Sequence, residues 1–360
     1  MTATDTTKPK IQRYLALDAY RGFIMLMLVS SGFGFGRLQG DPTYGTIASW
    51  FEHKPWEWIN FWDLIQPGFM YIVGVAMPFA LAIRMQKGAT FNDNVKHVTI
   101  RALRLIALSQ LLYMGGSEPY HFQMINVLCQ IALTYFLVFW IMQLRFRWQA
   151  VIAVALLVFH TALFYLFPGP DGPYSQVGNI GQVIDKAIMG YNYPGLWVGI
   201  NFITSTVTTL FGAWTGMLLM QDKDHRHVIK MLALGSAGGF VLGLAISPWN
   251  PIIKRICTAS FTLYSAGWVL LGMLIFYVVV ELKHYRKWTY PLVVIGANSI
   301  FIYAGSGWIL RPWLERVVGV LTGDFLFIGT LAPVAKALAV LAVMYYMNWW
   351  LYKRKIFIKV

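Results

Sequence analysis

Ten apolar runs, each long enough to cross roughly 30 Å of hydrocarbon, dominate the sequence at about 18–36, 59–83, 98–115, 123–143, 149–167, 200–220, 229–246, 258–280, 289–310 and 326–351. Hydrocarbon offers no partner to a backbone amide, so such runs must fold as helices that satisfy their own hydrogen bonds. The composition agrees: 58% of the 360 residues are hydrophobic, only 12% are charged, and the mean hydropathy is +0.56. An ordinary soluble domain carries about twice that share of charge. The expectation is an all-α, polytopic integral membrane bundle of about ten transmembrane helices. A cytoplasmic segment, 1–17, leads into a membrane domain, 18–351, and a basic cytoplasmic tail, 352–360, closes it. No internal repeat is visible, and no loop is long enough for a second folded domain. The first run lacks a small-residue cleavage site and carries Asp18 and Arg21 at its start, which predicts a retained helix rather than a signal peptide.

A net charge of +14 raises the question of nucleic acid, but the placement of the charge answers it. With the N-terminus inside and ten crossings, 21 of the 29 Lys and Arg residues fall on one side. They include Arg13, Arg21, Arg84, Lys87, Lys96, Arg101, Arg104, Arg145, Arg147, Arg226, Lys230, Arg286 and Lys353, together with Lys8, Lys10, Lys223 and Lys359. The other side receives Arg37, Lys54, Lys186, Lys254, Arg255, Arg311 and Arg316, and Lys336 lies within the last run. Positive charge accumulates on cytoplasmic loops, so both termini are expected inside and no nucleic-acid partner is implied. Membrane lipids are the expected surroundings. Cys129 and Cys257 fall in or beside apolar runs at a spacing that fits neither a disulfide framework nor a metal site, so no metal is expected.

Against this background the segment Trp50–Gly74, WFEHKPWEWINFWDLIQPGFMYIVG, stands out. It sets His53 and Asp63 ten residues apart at the outer mouth of an apolar run interrupted by Pro67 and Pro78. Ionisable groups are costly at a membrane boundary, so an imidazole and a carboxylate kept there point to proton transfer, with the carboxylate orienting the ring. Asp63 also fits a plain role as a first-turn acid of the following helix. The second long outer loop, 168–199, is rich in Gly, Pro and aromatic residues. Its Tyr174, Tyr191, Tyr193 and Trp197 suit either stacking on a sugar ring or an interfacial aromatic belt.

Several motifs together resemble the heparan-alpha-glucosaminide N-acetyltransferase family of membrane acyltransferases. They are Arg13–Gly22 with Asp18 and Arg21, the His53-Lys-Pro-Trp56 box followed by Trp62-Asp63-Leu64 and Pro67-Gly-Phe69, Val127-Leu128 with Ile131-Ala132 and Tyr135, Pro194-Gly195-Leu196 before Asn201, Asn298-Ser299 with Tyr303, and the closing Tyr352–Phe357. The resemblance covers nearly the whole chain, and the His53–Phe69 box is its most specific part. It implies transfer of an acetyl group from acetyl-CoA, a small-molecule donor, to a carbohydrate acceptor such as an amino sugar or cell-envelope glycan. The family's active-site histidine falls on His53, either as general base or as a covalent acyl carrier. Asp63 would orient the ring as a carboxylate does in a triad. Trp56, Tyr193, Trp197 and Asn201 are the residues expected to meet the acceptor. The implied setting is a bacterial-type cytoplasmic (inner) membrane with the His53 loop on the outer face, and the reading leaves a homodimer open.

For the donor, Arg21, Arg101 and Arg104 offer guanidinium groups to CoA phosphates. Arg21 equally pairs with Asp18 three residues away, and the other two equally anchor to headgroups. Lys336, near mid-depth of the last run, needs a partner in hydrocarbon, either an acid or the CoA pyrophosphate. Asn298 and Ser299 are placed with the donor, Asn298 to polarise the thioester carbonyl. Asn126 and Gln130 need an interior cavity. The chain departs from the family's pattern at Ser30-Ser31-Gly32, Cys129-Gln130 and Tyr193-Pro194-Gly195, which alters the pocket and leaves the His53 box intact. Two other classes share the architecture: a transporter or flippase gated at its proline and glycine breaks, and a catalytically silent membrane scaffold.

Overall fold

A computed structural model describes residues 13–114, 121–221, 224–307, 310–322 and 329–358; Lys8, Lys10, Lys223 and Lys359 of the charge pattern lie outside them. The described residues form fourteen α-helices: α1 Leu15–Ser30, α2 Gly45–Trp50, α3 Ile65–Gln86, α4 Phe91–Met114, α5 Val127–Ile141, α6 Phe146–Leu166, α7 Ile180–Met189, α8 Phe202–Gln221, α9 His225–Ile246, α10 Ala259–Tyr277, α11 Tyr290–Ala297, α12 Ser299–Gly307, α13 Leu310–Thr322 and α14 Ala332–Lys353. The protein is an all-α polytopic membrane bundle. Seven helical stretches among the described residues are long and apolar enough to cross a membrane: Leu15–Leu38, Phe61–Gln86, Phe146–Leu166, Gly199–Gln221, His225–Ile246, Ala259–Leu282 and Ala332–Lys353. An eighth results if the bent pair α11–α12 counts as one span.

The other two expected spans, 98–115 and 123–143, correspond to α4 and α5, and they differ from the rest for physical reasons. α4 has 24 residues but carries Lys96, Arg101 and Arg104 along its length, and α5 is a short apolar helix of 15 residues. The expected span 289–310 is broken at Asn298, where the axis turns by 71°. The break is filled from within the chain. Asn298 Nδ2 donates to Ile356 O at 3.0 Å, and Ile358 N donates to Asn298 Oδ1 at 2.9 Å.

α1 lies at the centre, against α3, α10, α11 and α12, and buries Met25, Val29, Ala19 and Tyr20. Lipid tails are as apolar as leucine, so close packing rather than escape from water must hold such helices together. α3 and α8 show how close that approach is. A Cβ on Gly74 would stand 1.9 Å from Thr209 O, and one on Gly212 would stand 2.1 Å from Tyr71 O. α1 ends in an unusual turn: Ser31, Gly32, Phe33 and Gly34 all have left-handed φ, between 51° and 79°. Arg311 Nη1 caps the helix from α13 by donating to Val29 O at 2.8 Å.

The helices define two ends. One carries Arg13, Arg84, Arg286 and Lys353. The other carries the connections 51–64, 190–201 and 247–258, and the site lies there.

Candidate active site

Asn60 and Asp63 start α3 together. A single 3-10 turn, Phe61–Leu64, precedes the helix, and Asn60 and Asp63 exchange side-chain-to-backbone hydrogen bonds in a capping box. Asp63 Oδ2 accepts from Asn60 N at 2.9 Å and from Lys54 N at 3.2 Å. Asn60 Nδ2 in turn donates to Ser49 O and Glu52 O. The carboxylate, 1% exposed, is thereby fixed before it meets any other side chain.

Its second oxygen faces the imidazole. His53 Nδ1 lies 2.7 Å from Asp63 Oδ1. The carboxylate only accepts, so Nδ1 carries the proton and Nε2 is left with a free lone pair. Nε2 has no hydrogen-bond partner among the described residues, and the ring is one-third exposed.

A third group completes the cluster, and sequence reasoning counted it only as a loop charge. Lys254 Nζ lies 3.3 Å from Asp63 Oδ1 and 3.0 Å from His53 Nδ1, with its side chain buried. Backbone pairing brings it there. Trp58 N donates to Ile252 O at 2.7 Å, and Glu57 and Ile253 form an antiparallel bridge. The connection 190–201 joins on the far side: Val198 N donates to Arg255 O at 3.3 Å, and the Arg255 guanidinium donates to Gly195 O while lying over Trp197 at 4.6 Å. Each of the three connections contains one non-glycine residue in the left-handed region, Trp58, Leu196 and Cys257. Such backbone concentrates where surrounding structure over-determines it.

These groups set the protonation of the ring. Burial, the Lys254 ammonium and the Arg255 guanidinium all lower the His53 pKa, against the hydrogen bond and charge of Asp63, and the net shift is downward. Burial pulls Lys254 down to about 8 despite the Asp63 carboxylate. The result is an imidazole kept neutral and held in one tautomer, which is what a base or nucleophile requires.

His53 stands at the mouth of a cavity of about 240 Å³ that runs into the bundle. Trp197 and Tyr193 share the mouth, with Trp197 edge-on to His53 at 5.5 Å. Gln66 and Phe69 of α3, Ser109 and Tyr113 of α4, Asn126 and Gln130 at the start of α5, and Tyr303 of α12 line the interior. Asn126 caps α5 by accepting from Leu128 N and Cys129 N, and its amide donates to Ser109. Gln66 donates to Gln130, and Gln130 donates to Asn201. Asn126 and Gln130 therefore have the interior cavity that their polarity demanded.

The remaining expected residues are distributed differently. Tyr193 and Trp197 reach the cavity, whereas Trp56 donates its indole N–H to Tyr174 O, and Asn201 is fully buried behind Gln130. Arg21 is committed to Asp18 at 2.8 Å. Arg101 lies over the Tyr135 ring at 4.5 Å, and Arg104 is exposed on α4. Asn298 holds the tail at the break, and Ser299 donates to Gly296 O, so neither lines the cavity. Lys336 is not at mid-depth. α14 begins at Ala332, which puts Lys336 in its second turn, beside a separate polar cavity lined by Arg37, Glu52, Arg311 and Glu315. Lys254 had one sequence signal: the adjacent pair Lys254-Arg255, set between apolar runs on the side otherwise poor in basic residues.

Comparison with known proteins finds similarity to one family over part of the chain. Residues 13–177, which hold His53, Asp63, Gln66, Ser109, Asn126 and Gln130, match the family described as "Heparan-alpha-glucosaminide N-acetyltransferase, catalytic". The mouse (Mus musculus) heparan-alpha-glucosaminide N-acetyltransferase is 22% identical over 369 aligned residues, covering 84% of this chain and 54% of the mouse protein. The human (Homo sapiens) protein of the same name is 22% identical over 362, covering 81% and 52%. The chain spans about half the length of the curated relatives it matches. The similarity that the His53–Phe69 box carries thus extends beyond that box: the chain is similar, at low identity, to heparan-alpha-glucosaminide N-acetyltransferases.

Proposed function

We propose that the chain is a membrane acetyltransferase that moves an acetyl group from acetyl-CoA to an amine or hydroxyl of a sugar, with residues 18–351 as the catalytic membrane domain. The observation that carries this reading is the free Nε2 of His53, held by Asp63 at the mouth of the cavity. Nε2 takes the proton as the acceptor attacks the thioester carbonyl; a bond to the acceptor nitrogen or oxygen forms, the C–S bond breaks, and CoA leaves as thiolate. Alternatively Nε2 takes the acetyl group itself and passes it on. Lys254 keeps the ring neutral beforehand, and Asp63 stabilises the cation once the proton has arrived. Tyr193 and Trp197 offer the acceptor aromatic faces at the mouth.

The cavity fits one end of the donor. At about 240 Å³ it is smaller than the pockets that enclose drug-sized ligands, so it admits the thioester end of acetyl-CoA and leaves the nucleotide elsewhere. We assign the phosphates to Arg104 and Arg101, because Arg104 precedes Tyr113 by nine residues on α4, about 14 Å along its axis. In this reading the basic end faces the cytoplasm of a bacterial-type inner membrane and the His53 end faces out.

The test is acetyl transfer by purified protein from radiolabelled acetyl-CoA to glucosamine-type acceptors. His53→Ala, folded as judged by circular dichroism and gel filtration, is expected to lose about 10²–10⁴-fold in rate. Equal turnover by the variant overturns the assignment. Acceptor uptake into vesicles without acetylation would favour a transporter instead.

A further inference from the structure

A second cavity, of about 610 Å³, opens on the side of the bundle between α1, the start of α3 and α10. Along α10 it extends from Tyr264 to Phe276, twelve residues or about 18 Å. Its walls are aromatic and aliphatic for that whole length, with Trp268 and Ile275 open to the surroundings. Among the described residues, charged and amide side chains enter only at the His53 end, where Lys54 and Asn60 line it. The Lys54 ammonium makes no ion pair or hydrogen bond with any described residue. The groove keeps its apolar wall along that length of α10. Its volume and length fit an extended hydrocarbon chain, and an unpaired cation at the top of an apolar groove calls for an anionic head.

We propose that this groove binds an anionic phospholipid, with one chain lying along α10 and its phosphate on Lys54. The head then sits against the active-site cluster, because Lys54 N and Asn60 N both donate to the Asp63 oxygen opposite the one that holds His53. Binding here does not depend on the acetyl-transfer reading, and the test reads occupancy rather than turnover.

The protein is placed in phosphatidylcholine nanodiscs with a trace of diazirine-tailed phosphatidylglycerol or diazirine-tailed phosphatidylcholine, irradiated, and mapped by mass spectrometry. Phosphatidylglycerol is expected to label residues 264–276 about fivefold more than phosphatidylcholine. Lys54→Gln should bring the two lipids level, and Ile275→Trp, which fills the lower groove, should remove both labels at 264–276. Gel filtration of each variant confirms that it is folded. Equal labelling by the two lipids in the wild type means bulk boundary lipid only and overturns the proposal. So does a preference for phosphatidylglycerol that survives Lys54→Gln, or absence of label in the groove.

Discussion

Lys254 Nζ and His53 Nδ1 stand 3.0 Å apart although 201 residues separate them in the chain. A buried ammonium against an imidazole is unfavourable in isolation, and it persists because Asp63 Oδ1 lies within 3.3 Å of both groups. The carboxylate binds the ring and the cation at once. The cation in turn decides whether the ring can accept a proton easily.

Replacement of Lys254 by Gln should raise the His53 pKa, since one of the groups that lower it is removed while Asp63 remains. The acid limb of kcat/KM against pH, where the base becomes protonated and activity is lost, should then move to higher pH. An unmoved limb would show that Lys254 does not act on the ring.

Asp63→Asn leaves Lys254 buried without its counter-charge, and breaking a buried pair in this way costs about 3–5 kcal/mol. Thermal unfolding in detergent should show a large drop in Tm for this variant. Asp63→Asn combined with Lys254→Met should recover much of it, because no charge is then stranded. Activity should stay low in both, as the ring has lost the carboxylate charge that stabilises its protonated form.

Asp185 on α7 accepts from Gly199 N at about 3 Å, and burial pushes its carboxyl up to about 6. From its ordinary 3.8 up to about 6 the unfolded chain is ionised while the folded one still holds a proton, so stability falls as pH rises through that window and then levels. Asp185→Asn should therefore raise Tm at pH 8 and leave it nearly unchanged at pH 4. A gain of the same size at both values would mean that ionisation is not the cause.

Gly74→Val tests the closest crossing in the bundle. The new side chain meets the Thr209 carbonyl, and α3 and α8 must separate. Overpacking of this kind costs about 1–3 kcal/mol or more. Because the turn that holds Asp63 leads directly into α3, the variant should lose activity along with yield of folded protein. Normal Tm with normal turnover would contradict the tight approach.

Much of this was legible in the sequence because it is local. His53 and Asp63 lie ten residues apart, and the run that follows them is apolar enough to declare a helix; Tyr193 and Trp197 come from a loop whose composition set it apart. The break at Asn298 and the short α5 were less visible, since an apolar run does not say whether its helix bends or stops early. Lys336 lies shallower than the apolar run suggests, because α14 begins only at Ala332. α7 and α13, being short or amphipathic, do not stand out from the loops around them in the sequence. Lys254 shows locally only as half of a basic pair: its role depends on Trp58 N reaching Ile252 O, and one sequence does not reveal pairing across two hundred residues.

The seam between the connections 51–64 and 247–258 also has a consequence for biogenesis. Domains assemble broadly from the N-terminus as the ribosome proceeds, and His53 emerges long before α9 and α10, which frame Lys254, have been made. Until that hairpin has entered the bilayer the nascent imidazole lacks its cationic neighbour and titrates with Asp63 alone. The cluster is thus completed only once α9 and α10 are in place, and a ribosome that stalls ahead of residue 254 leaves behind a histidine and an aspartate without the cation that sits beside both.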